Sequence, residues 1–317
     1  MNEMDKCLAL DLGGTKLLVG IVNGAGRVLT SRRYPSPLAS GAKQPEIAAH
    51  MLACLEDFCA STTLDGVRFM GAGVVGRVDD GHGLWLEIEP GRCETVALAR
   101  LLGERVGLPC RIDNDVRCAL RAERVLGSGQ GLDDFIYINI GTGIAAGIVT
   151  GGQVVKGASF NAGEAGHVAV DISGGAACPC GRVGCVEAIA SGSGLDARAR
   201  ALRTQYPRTR LEIPEAGRCR ADDIFRLARE GDALCLRLAN DAAEAAAALI
   251  LNLVWIVDPQ CVVLGGGIVS DPWMFDQIVQ RLPENAMRFT RGGVRLTSLN
   301  PNDVGLIGAA MCGFDAP

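Results

Sequence analysis

A strand–turn–strand–turn–strand unit occurs twice in this chain, and that repetition restricts the fold more than any other feature. In the first copy Cys7 to Leu12 reads as a strand, Gly13-Gly14-Thr15-Lys16 as a turn and Leu17 to Val22 as a second strand. Asn23 to Gly26 is a hairpin turn, and Arg27 to Tyr34 supplies a third strand. In the second copy Ile138-Asn139-Ile140 runs into Gly141-Thr142-Gly143. Strands at Ile144 to Val149 and Gln153 to Val155 then flank a turn at Thr150 to Gly152. Leu12-Gly13 aligns with Ile140-Gly141, and Gly20 to Gly24 with Gly147 to Gly151, with one residue of slippage between the two alignments. Two such units about half a chain apart predict a duplicated α/β lobe.

Each copy places a Gly/Thr turn between two strands, where backbone N–H groups and a hydroxyl are exposed to an anion. One Gly-Gly-Thr-Lys is an ordinary β-turn, and its spacing is not that of a Walker A loop. Recurrence is what points to paired phosphate loops, Gly13, Gly14, Thr15 and Lys16 facing Gly141, Thr142 and Gly143. Asp11, just before the first, suits a magnesium ion held through water. Lys16 is either a phosphate contact or a solvated turn residue. A third glycine run, Gly265-Gly266-Gly267, follows the buried strand Cys261 to Leu264 and gives a nucleotide close access to the backbone. Alone it is equally a plain strand–helix turn.

Asn161 to Glu187 carries a different chemistry. Cys178-x-Cys180-x4-Cys185 gathers three thiols in a loop whose Gly181 and Gly184 permit tight turns, and His167 lies just upstream. Cys3His is a closed tetrahedral set that zinc favours, so His167, Cys178, Cys180 and Cys185 are expected to hold a structural Zn2+. The alternative is a loop of reduced thiols, because the chain has thirteen cysteines. The other ten are scattered among apolar or helical residues, where cysteine behaves as a small hydrophobe.

Between these motifs, helices are expected at Pro45 to Ala60, Ala97 to Val106, Val116 to Leu126, Ser191 to Leu202, Ala221 to Arg229, Asp232 to Val257 and Asp303 to Phe314. The small residues Gly305, Gly308, Ala309 and Ala310 suit the last helix to close packing. A net charge of −5 and a pI near 5.4, without a basic run, exclude the usual electrostatics of nucleic-acid binding. The N-terminus has no apolar h-region, the cysteines form no disulfide framework, and the apolar run Ala245 to Val257 is short for a bilayer. These features lead us to expect a cytoplasmic protein without a membrane partner.

Taken together the motifs resemble the ROK family, sugar kinases and sugar-responsive repressors of the actin-like ATPase superfamily. The resemblance covers nearly the whole chain: Asp11 to Lys16, Gly71-x-Gly73-x-x-Gly76, Asn114-Asp115, Gly141-Thr142-Gly143, Gly163-Glu164-x-x-His167, Cys178 to Glu187, and Asp258-Pro259 to Gly267. It implies a two-lobed α/β fold with duplicated ribonuclease H-like lobes and a zinc loop. Residues 1–113 plus 303–317 would form the small lobe and 114–302 the large one. ATP would be cradled by the turns at 13–15 and 141–143 with Gly265 to Gly267. Asp115 would be the catalytic base, and Asn114, Glu164, His167 and Glu187 would contact sugar hydroxyls. The substrate would be a hexose or amino-hexose, phosphorylated at position 6 in the cleft between lobes, and the protein a homodimer.

Each of these residues has a plainer reading. Asn114 and Asp115 precede a helix and either can cap it; Glu164 and Glu187 can be solvated loop carboxylates. Two departures from the family pattern stand out. Val75-Gly76 replaces a usual Pro-Gly, and Leu84 to Gly91 lacks an asparagine that the family uses on sugar hydroxyls. Glu87 or Glu89 beside the substrate would favour a sugar with a free amine. Ten residues precede Asp11 in this sequence, so the helix-turn-helix of the repressors is not expected.

Overall fold

The N-terminal repeat folds as β1 (Lys6–Leu12), β2 (Lys16–Asn23) and β3 (Val28–Pro35). The chain continues through α1 (Gln44–Ala60), β4 (Val67–Val74), β5 (Arg77–Asp79), β6 (Leu84–Glu87), α2 (Leu98–Val106), β7 (Cys110–Asn114) and α3 (Asp115–Leu126). The second repeat forms β8 (Phe135–Ile140), β9 (Ile144–Thr150) and β10 (Gln153–Val154). After it come α4 (Val186–Ala190), α5 (Gly192–Leu202), α6 (Ala221–Arg229), α7 (Ala233–Val257) and β11 (Cys261–Gly265). The remaining elements are α8 (Pro272–Val279), α9 (Glu284–Met287), β12 (Val294–Leu296) and α10 (Val304–Phe314). This computed structural model describes every residue apart from Met1, Pro90, Gly174, Ala316, Pro317 and the side chain of Ala39.

Two compact units emerge, residues 1–131 with 156–162 and 298–317, and residues 132–155 with 163–297. Their sheets have the same topology. The first runs β3-β2-β1-β4-β7 and the second β10-β9-β8-β11-β12, each an antiparallel meander followed by two parallel strands. The one-residue slippage in sequence has a structural cause: Leu12 pairs with Leu17, whereas Ile140 pairs with Ile144, so the first turn is one residue longer.

In the first unit the strand period of two splits β1 between two layers. Leu8, Leu10 and Leu12 join a core with Ile47, Met51, Leu55 and Phe58 of α1, while Cys7 and Ala9 face Leu306, Ala309 and Ala310 of α10. Asp11 follows them onto the α10 side, where a Cβ on Gly305 would fall 2.5 Å from its carboxylate. The small residues of α10 do serve close packing: a Cβ on Gly308 would lie 2.1 Å from the Cys118 carbonyl of α3.

In the second unit Ile136, Ile138 and Ile140 share a core with Val262 and Leu264 of β11 and with the buried face of α7. By length and apolar character α7 would suffice to cross a membrane, but Leu234, Leu238, Leu249 and Ile250 are fully buried in this core. Asp232 caps it, accepting from Cys235 N at 3.1 Å, and also holds Thr209 and Arg210 at 2.8 and 2.7 Å. The polar stretch before α6 is thereby anchored. Burial alone would raise the Asp232 pKa, but those hydrogen bonds outweigh it and lower it.

The structure adds elements that the sequence did not signal, the β5–β6 hairpin, α4, α9 and β12, and places α8 after the glycine run. Arg111 to Asn114 lie within β7, so the strand runs directly into α3.

Candidate functional site

In the first unit the turn between β1 and β2 is open. Gly13 N donates to the Lys16 carbonyl at 2.9 Å, and a Cβ on Gly14 would meet nothing within 4 Å. Thr15 is exposed, and Lys16 Nζ donates to the Asn302 carbonyl at 3.3 Å. Behind the turn Asp11 is 9% exposed; burial pushes its carboxyl up to about 6, against an opposing pull from Lys16. A dication there would restore its charge, which fits the residue to a magnesium-binding role.

The β7–α3 joint divides its polar work among three consecutive residues. Asn114 is the N-cap of α3: its Oδ1 accepts from Val116 N at 3.0 Å and Arg117 N at 3.2 Å, and its Nδ2 donates to the Gly76 carbonyl at 2.9 Å. Both ends of the amide are therefore committed to backbone. Asp113 is fully buried and pairs with Arg117 at 2.5 Å and Arg121 at 3.1 Å. Asp115 opens the helix, with Oδ1 2.9 Å from Val116 N.

Glu87 and Glu89 are already engaged. Glu87 accepts from Arg77 Nε at 2.5 Å and from the Cys93 thiol at 3.0 Å, which holds its pKa below the usual range. Glu89 pairs with Arg92 at 3.0 Å. The expectation that one of them awaits an ammonium is not met by this arrangement, in which a substrate amine would have to displace an arginine. Pro90 of the same stretch lies outside the described residues.

In the second unit the corresponding turn is filled. Glu187, on α4, accepts from Ile144 N at 2.8 Å through Oε2. A Cβ on Gly143 would lie 2.7 Å from that oxygen, and one on Gly166 would lie 3.0 Å from it. The Glu187 carboxylate thus lies against both the end of the Gly141–Gly143 turn and Gly166. From its other side the turn is held by the start of α5, where Gly192 N donates to the Gly141 carbonyl at 2.8 Å and Ser193 N to the Thr142 carbonyl at 3.2 Å. Glu164 is exposed. Partial desolvation raises its pKa, a shift opposed by His167 and reinforced by Glu187.

The glycine run after β11 is largely a packing feature. A Cβ on Gly265 would strike the Tyr137 hydroxyl at 2.3 Å, and one on Gly266, at φ 95°, would strike the Ile140 carbonyl at 2.4 Å. Only Gly267 has open space around it.

His167, Cys178, Cys180 and Cys185 do come together, with all four ligand atoms within 4.8 Å of one another. His167 Nδ1 lies 3.4 Å from Cys178 Sγ, and Cys180 Sγ lies 3.6 Å from Cys185 Sγ. A zinc tetrahedron with Zn–S near 2.3 Å has edges of about 3.8 Å, so the donor set fits the ion in number, type and spacing. Bridges Ala169–Cys185 and Ala177–Val183 fold the loop back on itself. The fold needs glycine at 184, which has φ 75° and would place a Cβ 1.7 Å from the Asp171 carbonyl. The Arg182 N–H lowers the Cys180 pKa, whereas burial raises that of Cys185 to about 12. Nδ1 turns into the thiol cluster, which leaves Nε2 on the other side of the imidazole ring.

Comparison with known proteins agrees with this geometry. The ROK family model matches residues 7–313. The chain is 30% identical over 305 residues to an N-acetylmannosamine kinase of Escherichia coli O157:H7, covering 96% of this chain and 97% of that protein. Among solved structures it is similar to a ROK family glucokinase from Streptomyces griseus in complex with glucose and AMPPNP. That match has a TM-score of 0.79 and 28% identity, covering 98% of this chain and 100% of the other. A ROK family transcriptional regulator, a homologue of the Escherichia coli MLC protein, shares the fold at a TM-score of 0.80 and 23% identity, covering 97% of this chain and 77% of that one. With its two like-folded sheets, its thiol–imidazole cluster and a family match over almost its full length, this chain belongs to the ROK family and has the actin-like ATPase fold.

Proposed function

We propose that this chain is a sugar kinase that transfers the γ-phosphoryl group of MgATP to a hydroxyl, at position 6, of a hexose or amino-hexose. Asp115 acts as the base. It takes the proton of the acceptor hydroxyl as that oxygen bonds to the γ-phosphorus and the bond to the ADP oxygen breaks. Glu164, His167 through Nε2, and Glu187 accept or donate hydrogen bonds to the remaining hydroxyls. Asn114, with its amide bound to backbone at both ends, contributes by fixing the turn that carries Asp115. Gly13 and Gly141 close the two turns, their N–H groups held by the Lys16 and Gly143 carbonyls, so that Gly14 to Lys16, Thr142, Gly143 and Gly267 bind the phosphates through backbone N–H groups, while Gly265 and Gly266 keep that backbone in place. Asp11 orients the magnesium ion. Zinc, when bound, supplies rigidity to the loop that carries His167 and leads to Glu187.

The observation that carries this reading is the recurrence of a Gly/Thr turn at the same position of two topologically identical sheets. That arrangement suits a polyphosphate and has no evident use in a plain sugar-binding protein. The kinases among its relatives support it. A second reading, a ROK protein that binds sugar without phosphorylating it, draws on the Arg77–Glu87 pair where the family places a sugar-binding asparagine. Family membership further suggests a cytoplasmic homodimer, which light scattering would test.

A coupled ADP-release assay over glucose, glucosamine, mannose and their N-acetyl forms separates the readings. We expect sugar-dependent ADP release and a 6-phosphate product. Saturable sugar binding without ADP release on any member of the panel contradicts the kinase reading.

A further inference from the structure

Arg117 occupies an unusual place. It lies in the first turn of α3, with a side chain only 4% exposed, and each of its three guanidinium nitrogens has a different partner. Nε donates to Asp113 Oδ1 at 2.5 Å, Nη2 to the Val78 carbonyl of β5 at 2.8 Å, and Nη1 to the Phe160 carbonyl at 3.3 Å. The first contact spans the joint that carries Asp115, two residues from Asp113 and two from Arg117. The last reaches the 156–162 segment, which packs with the first unit although both its neighbours in sequence belong to the second.

That segment is held at two further points: Lys156 Nζ pairs at 2.7 Å with Asp80, whose side chain is 7% exposed, and Arg77 Nη1 donates to the Ser159 carbonyl at 3.1 Å. Phe160 itself has φ 58°, a left-handed conformation that a bulky residue adopts only when its surroundings impose it. Such residues cluster at functional sites. Four residues further along the chain comes Glu164.

We propose that Arg117 is a positioning residue for the phosphoryl acceptor: its guanidinium ties the Asp115 joint to the 156–162 segment so that the two respond as one body. Asp113 is the counter-charge that makes this possible. It is fully buried and takes Arg117 on one oxygen and Arg121 on the other, so Arg117 is held in one orientation by a planar, multidentate fit that lysine cannot reproduce. A fixed base orientation matters because displacement of about 1 Å can cost about a hundredfold in rate. The inference rests on the kinase reading for its catalytic consequence, but the physical tie between the two segments does not.

Arg117→Lys keeps a cation opposite Asp113 and loses the fork. We expect it to fold, with kcat on the preferred sugar about 10- to 100-fold lower and KM for ATP within about twofold of the original. In Arg117→Ala, added methylguanidinium should recover about tenfold in kcat while methylammonium does not. Hydrogen exchange of Arg117→Lys should show amides at 115–117 and at 159–162 speeding up together, with the rest of the protein unchanged. A kcat within twofold of wild type overturns the proposal, as does faster exchange confined to one of the two segments. Equal losses of sugar turnover, ATP affinity and global stability, without guanidinium rescue, reduce Arg117 to a structural residue and also overturn it. If wild-type protein phosphorylates no sugar, the kinase reading fails, and the exchange experiment still decides whether Arg117 makes the tie.

Discussion

The two Gly/Thr turns occupy the same place in like-folded sheets, yet one is open and the other is filled. After β1 the turn has an extra residue, a buried acid behind it at Asp11, and no protein within 4 Å of a Cβ on Gly14. After β8 the turn is shorter, Asn139 stands where Asp11 would be, and Glu187 occupies the space beside Gly143. The contrast teaches that a duplicated backbone can keep its hydrogen-bonding frame while its two copies take different tasks. One copy keeps a buried carboxylate behind its turn. In the other, the turn is braced by a residue that also belongs to the sugar-binding set we propose.

Metal removal should separate the copies most strongly. Stripping the ion from the Cys178, Cys180, Cys185 and His167 cluster with a strong chelator should release the segment that leads directly into Glu187. Sugar phosphorylation should fall by more than tenfold, and amide exchange at residues 141–144 should accelerate while that at 11–16 does not. Equal acceleration in both turns would break the comparison.

Asp11→Asn tests the open copy. We expect kcat to fall by about a hundredfold, because positioning and charge neutralisation carry phosphoryl transfer. Its effect on stability has the opposite sign. A carboxyl that titrates near 6 in the fold, against an ordinary 3.8, weakens the fold as the pH rises from about 4 to about 6. Its full cost, present above about pH 6, is about 3 kcal/mol. In metal-free buffer the Asn variant should therefore match wild type near pH 3.5 and exceed it at pH 7.5, as read by urea denaturation at both pH values.

Smaller effects come from adding one methyl group to each turn. Gly143→Ala would place a Cβ 2.7 Å from Glu187 Oε2 and disturb its bond to Ile144, with a destabilisation of about 1–3 kcal/mol and a higher KM for sugar. Gly14→Ala meets open space, so stability should stay within about 0.5 kcal/mol while KM for ATP rises. If the two alanine variants behave alike in denaturation, the distinction between filled and open turns is wrong.

The duplication, its slippage and the metal cluster were legible because each depends on residue type at fixed spacing. Other features were not, for identifiable reasons. The glycines at 265 and 266 read as room for a nucleotide, but Tyr137 and the Ile140 carbonyl, far away in sequence, are what exclude a side chain there. Gly143 reads in sequence as a phosphate contact alone, since nothing local shows that Glu187 will fill its space. The β5–β6 hairpin and α4 are only three to five residues each, too short for a periodic signal. Asp113 and Arg117 have the spacing of a helical ion pair, but one lies in a strand and the other in a helix, so the pairing depends on how the joint is built. The capping alternative for Asn114-Asp115 was resolved only by the hydrogen bonds, which give the cap to Asn114.

That division of labour makes Asp115 accessible to a clean test. Asn114 remains to cap α3, so Asp115→Asn should fold normally, bind ATP with unchanged affinity, and phosphorylate the preferred sugar about a thousandfold more slowly at saturating substrate. Turnover of that sugar by Asp115→Asn at the wild-type rate would contradict the account.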